Sequence, residues 1–182
     1  TMPESIETIG KSAFSNCKGL TSITLPNSVT SIEYSAFSGC TGLTSIIIPD
    51  SVVTIEQSAF SGCNYLTSVI IGKDVKSIGS YAFNNCIRLV DILLPKSLWS
   101  IDDYAFANCG NLTTVHWNAI NATVNSIFYN DSVSTLTIGE NVKSIPGGVF
   151  SQFKITEVAL PEGLETINSN AFYNTLLRSE EH

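Results

Sequence analysis

The stretch LTSITLPNSVTSIEYSAFSGC, residues 20–40, decides the fold. Leu20, Ile23 and Leu25 are apolar, and Ser22 and Thr24 alternate with the last two. Period two with a β-branched residue predicts a short strand whose Ile and Leu point into a core. Pro26 ends it, because proline brings no N–H to a ladder, and Asn27-Ser28 is turn chemistry. Val29 and Ile32 predict a second buried, extended crossing. After the polar residues Glu33 to Ser35, the spacing of Ala36, Phe37 and Cys40 predicts a turn or two of helix. Thr41-Gly42 then turns the chain back to Leu43, where the pattern starts again.

The same unit recurs along the chain. Phe14, Phe37, Phe60, Phe83 and Phe106 lie 23 residues apart, and Phe128, Phe150 and Phe172 continue at a spacing of 22. Cys17, Cys40, Cys63, Cys86 and Cys109 each follow a Phe by three. Pro3, Pro26, Pro49, Pro95 and Pro161 share one slot, filled elsewhere by Gly72, Asn118 and Gly139. A fixed period in the low twenties is the signature of a solenoid. One unit cannot bury both its strand face and its Phe stripe, whereas stacked parallel copies close the ladder and make a continuous core. The expectation is an α/β repeat with parallel strands on a concave face and short helical turns and extended stretches on the other sides. Eight rungs, counted by their Phe residues, would span about 35–40 Å at strand spacing.

Composition narrows the function. Of 182 residues 43% are hydrophobic and 14% charged, which fits a packed chain. Nine Lys and Arg against 16 Asp and Glu give a net charge of −7, so nucleic acid and anionic membranes are poor partners. The longest apolar runs, such as Ile46 to Ile48, are too short to cross a bilayer, so no membrane insertion by this segment is expected. No basic, apolar signal segment opens the chain, which reads as a cytosolic protein or an excised mature fragment. Two His and two Arg leave little for acid–base chemistry. No enzyme activity, cofactor or metal is expected.

L-x-x-I-x-L followed by a polar residue resembles the leucine-rich repeat, with Ser5, Ser28, Ser51, Asp74, Ser97 and Asn141 in the slot usually held by Asn. The L-P strand ending and the A-F-x-x-C segment resemble the BspA-like, or Treponema-type, leucine-rich repeats of bacterial surface proteins. That resemblance covers essentially the whole chain. It implies an extracellular or cell-surface location and binding of host or microbial macromolecules.

The array is read as one solenoid domain over 1–182, in 23-residue rungs to about 112, an irregular rung 113–132 and 22-residue rungs after it. In the irregular rung Trp117 replaces an aliphatic strand residue and Asp131 takes the Cys position. Phe153 and Thr175 stand where later Cys would be. A change of repeat type with a local kink is expected there. Glu180 and His182 occupy apolar slots of a last strand, which suits either a charged cap or a fragment of a longer surface protein.

The five Cys are expected as a row of buried free thiols rather than as disulfides or a zinc site, since they occupy one repeated slot and include no C-x-x-C. Asn111, Asn121 and Asn130 open glycosylation-type tripeptides, which come cheaply in a Ser/Thr-rich chain. Asp102-Asp103 and Glu180-Glu181 read as solvated pairs.

The outward strand columns carry the functional lead. One reads Thr24, Ile47, Ile70, Leu93, His116, Thr137, Ala159, and its neighbour reads Ser22, Ser45, Ser68, Asp91, Thr114, Thr135, Glu157. Ile47, Ile70 and Leu93 form either an exposed apolar stripe of the kind that binds proteins or a strand filled by β-propensity alone. The candidate site is Ser45, Ile47, Ser68, Ile70, Asp91, Leu93 and His116, with Trp99 on another column as a secondary candidate. The function expected is a monomeric, non-enzymatic adhesion or recognition module for a protein or glycoprotein. The alternative is a structural spacer or stalk within a larger surface protein.

Overall fold

The computed structural model describes residues 2–124, 126–129 and 132–178. Its strands are short and all pair in parallel: β1 Thr8–Ile9, β2 Ser31–Ile32, β3 Ser45–Ile47, β4 Thr54–Ile55, β5 Ser68–Ile70, β6 Ser77–Ile78, β7 Asp91–Leu94, β8 Ser100–Ile101, β9 Thr114–Trp117, β10 Thr123–Val124, β11 Thr135–Ile138, β12 Ser144–Ile145 and β13 Thr166–Ile167. The longer strands form one face, in the ladders β3–β5 and β7–β9–β11. The two-residue crossings form a second, ordered β1-β2-β4-β6-β8-β10, with β12–β13 apart. The result is a parallel-strand leucine-rich-repeat solenoid of about seven turns, with partial rungs at the ends.

The expected helical turns are absent, so the α/β description is corrected: among the described residues there is no helix. Hydrogen bonding explains why. Alternate amides of Ser35, Phe37 and Gly39 donate to Gln57, Ala59 and Ser61 carbonyls on the next rung. The intervening amides of Ala36, Ser38 and Cys40 donate only three residues back. Ser35 and Gly39 have φ of 53° and 72°, the left-handed region that stops helix propagation. The third side is therefore a stack of tight turns cross-linked between rungs.

Phe14, Phe37, Phe60, Phe83 and Phe106 stack with centroids 5.1–5.2 Å apart and planes within 6°. Around them Ile32, Ile55 and Ile78 from the short crossings and Leu43, Leu66 and Leu89 from the long face are fully buried. Polar slots bind between rungs. Ser28, Ser51 and Ser97 donate Oγ–H to the carbonyls of Ile6, Val29 and Val75 at 2.6–2.7 Å. These bonds account for serine in the slot that the repeat pattern assigns to Asn.

The five cysteines are free. Cys40, Cys63, Cys86 and Cys109 are buried, and their Sγ atoms lie 3.0–3.4 Å from the carbonyl oxygens of Phe14, Phe37, Phe60 and Phe83, one rung back. Cys17 departs from the expected inward row and is exposed, because its rung lacks a preceding neighbour among the described residues. Burial pushes the Cys63 and Cys109 thiols up to about 12.

The regularity stops after residues 113–129. Tyr104, Phe106 and Asn108 still donate to Ser126, Ile127 and Tyr129, but no backbone hydrogen bond among the described residues joins 126–129 to 147–152. On the short-crossing face, β10 and β12 lie in separate sheets. Only the long-strand face carries its ladder through, from β9 to β11. Trp117 is fully buried edge-on to Phe150 at 5.4 Å, and its Nε1 has no partner. The expectations for Asp131, Glu180 and His182 fall outside the described residues.

Candidate functional site

The candidate site is built by strand alternation on the long-strand face. Ile46, Val69, Ile92, Val115 and Leu136 point inward and are buried, so their neighbours point outward. Ser45 and Ser68 are register partners, as are Ile47 and Ile70. Asp91 pairs with Thr114, Leu93 with His116, and His116 in turn with Thr137. Ile47, Ile70 and Leu93 are 63%, 55% and 50% exposed, although a two-residue repeat would accept Thr or Ser there at no packing cost. Ser45, Ser68 and Asp91 form an exposed polar margin along one side.

Beyond the stripe, the His116 ring is half-buried, with Nδ1 2.7 Å from Thr137 Oγ1 on the next rung. At its other margin Leu93 joins Lys73, Lys96, Asn118 and Glu140 around a depression of about 280 Å³. Lys73 Nζ lies 2.7 Å from Asp50 Oδ2, and this contact holds the Asp50 carboxyl below its ordinary value. Gly72 keeps the strand ending close-packed here, since a Cβ on it would lie 2.3 Å from the Pro49 carbonyl oxygen. These groups can bind an apolar surface rimmed by polar contacts. Among the described residues no group of three or more His, Cys, Asp or Glu is placed to hold a metal.

Trp99 does not join this face. It precedes β8, donates its N–H to the Lys76 carbonyl and is 65% exposed on the short-crossing side. Sequence reasoning missed Pro146, which occupies the slot of Glu33, Glu56, Gly79 and Asp102. Each of those four donates its amide to the preceding rung, at Ile9, Ile32, Ile55 and Ile78. Proline has no such donor. The signal was present as a proline in a repeat slot otherwise free of it.

Among proteins of known structure, the chain is similar to a leucine-rich repeat protein of T. pallidum, at 28% identity and a TM-score of 0.64 over 81% of this chain and 72% of that one. It also resembles a leucine-rich repeat protein of Eubacterium ventriosum, at 21% identity and a TM-score of 0.65 over 98% of this chain and 43% of that one, a likeness of fold. No curated protein matches. The model of the BspA type leucine rich repeat region matches residues 1–113 and 62–178, in six copies. With the inward Phe, Cys and Leu columns and the parallel ladders on the page, the chain belongs to the BspA-type leucine-rich repeat family.

Proposed function

We propose that this chain is a non-enzymatic recognition module of a bacterial cell surface, binding a protein or glycoprotein through its long-strand face. One observation carries the reading: Ile47 and Ile70 are register partners, Leu93 holds the same repeat slot on the next rung, and each stands outward and at least half exposed. A contiguous apolar stripe with a polar margin is the composition of an interface core and rim. The polar margin is Ser45, Ser68 and Asp91 on one side and the Lys73–Lys96–Glu140 depression on the other. His116 bounds the stripe, and Trp99 serves a separate contact on the neighbouring face. Family membership in a group of bacterial surface proteins supports the location.

The test displays the chain on cells and measures capture of host-surface and matrix proteins. Replacing Ile47, Ile70 and Leu93 together by Ser removes capture while the thermal transition stays within a few degrees. Capture that survives the triple change places the partner elsewhere on the molecule. The spacer reading is the remaining alternative, and it predicts no capture by the unaltered chain.

A further inference from the structure

The interruption after the irregular rung has the chemistry of a binding slot. On one wall the amides of Ser126, Ile127, Phe128 and Tyr129 have no partner. On the other wall the carbonyls of Gly147, Val149 and Ser151 accept no hydrogen bond. At the corresponding place one rung earlier, Tyr104, Phe106 and Asn108 donate directly to Ser126, Ile127 and Tyr129. By that precedent the Phe128 amide, in the slot of Phe106, stands opposite the Val149 carbonyl, with a crevice of about 350 Å³ between the two walls. That volume is within the range of ligand sites.

Two residues keep the walls apart. Phe153 stands in the Cys slot, and its ring touches Phe128 at 5.3 Å and Phe150 at 5.6 Å. Phe128 and Phe150 make no ring contact with each other, unlike the stacked pairs before them. Pro146 removes the amide that would join the rungs on the adjoining face. The core aromatic wedges the turns open, and the proline prevents the short crossings from drawing them shut.

We propose that this seam takes up an extended stretch of a partner polypeptide. Its carbonyls would accept from the 126–129 wall at the Phe128 amide, and its N–H groups would donate to the opposite carbonyls of Gly147, Val149 and Ser151. Backbone left unpaired at a strand edge is what strand addition uses. In an extended peptide every second peptide unit turns its C=O to one side and its N–H to the other, so one such unit can bridge a donor wall and an acceptor wall. Tyr129, exposed at the rim, and Gln152 flank its path.

The probe is acetyl-Thr-Val-Thr-Val-Thr-amide, compared with the same peptide N-methylated at alternate residues. Hydrogen exchange of the full chain is read at residues 126–129. The unmodified peptide slows exchange there at least tenfold, and the methylated one, lacking donors for the second wall, does not. Phe153→Cys, which restores the slot residue of the earlier rungs, closes the seam, so the same amides are protected without peptide and the peptide adds nothing. Equal protection by both peptides, protection by neither at millimolar concentration, or slow exchange in the free unaltered protein each overturns the proposal. Should Phe153→Cys fail to fold, the peptide pair on the unaltered chain still decides it.

Discussion

The rings of Phe60 and Phe83 lie 5.2 Å apart and 3° from parallel, one link in a column that runs through five rungs. Each inner ring is covered on both faces, so removing one exposes two neighbours. Phe60→Ala is expected to cost about 3–5 kcal/mol. Phe172 is half-buried and touches Phe150 alone among the aromatic rings of the described residues, so Phe172→Ala is expected to cost less than half as much. Urea denaturation of both variants checks this; equal costs would contradict a nearest-neighbour array.

Gly72→Ala tests the strand ending beside the proposed binding stripe. Its Cβ would meet the Pro49 carbonyl oxygen at 2.3 Å, a backbone atom that cannot swing away. Overpacking of that kind costs about 1–3 kcal/mol. Gly19 and Gly110 would meet nothing within 4 Å, and Ala at either is expected to change stability by no more than about 0.5 kcal/mol. A thermal-melt comparison of the three variants separates crowding from any general loss of glycine.

The serine slot makes a smaller but specific claim. Ser97 Oγ donates to the Val75 carbonyl at 2.6 Å, tying one rung to the rung before it. Ser97→Ala leaves that carbonyl short of a donor and is expected to cost about 1 kcal/mol. Exchange at the Val75–Ser97 contact should rise with it; an unchanged stability would mean that water replaces the hydroxyl fully.

Much of the fold was legible because the repeat reports burial eight times over, once per Phe. Alternation set Ile46 inward and Ile47 outward, and both stand so. The error at Ala36, Phe37 and Cys40 has a physical origin. Their spacing places three side chains on one side whether the backbone closes helical bonds or donates alternately to the next rung. Sequence spacing does not reveal the left-handed φ of Ser35 and Gly39 that separates the two. The proposed site was legible only as a column of outward residues. Its depression at Lys73, Leu93 and Glu140 required residues from three different rungs to be brought together. Trp117 was marked as a disruption, yet its full burial edge-on to Phe150, a residue of the following rung, is not visible in the strand pattern.

The thiol row makes stability depend on pH in a stated direction. Burial raises the thiols of Cys63 and Cys109 to about 12, and that of Cys86 well above its ordinary value. An unfolded chain titrates these groups near pH 8.5. Below that pH both states hold the protons and stability is unaffected. Between about 8.5 and 12 the unfolded chain binds fewer protons than the folded one, so stability falls as pH rises. Each such thiol contributes a slope of up to about −1.4 kcal/mol per pH unit across that window. Denaturant midpoints measured from pH 7 to pH 11 should therefore decline above 8.5, and replacing Cys63 and Cys109 by Ala should flatten the decline. Alkylation supplies the companion measurement. At pH 8 in the folded chain only Cys17 is expected to react rapidly, since it alone of the five is exposed. Rapid labelling of Cys63 or Cys109 under those conditions would show that the core opens, and the pH slope would then have to be correspondingly shallow.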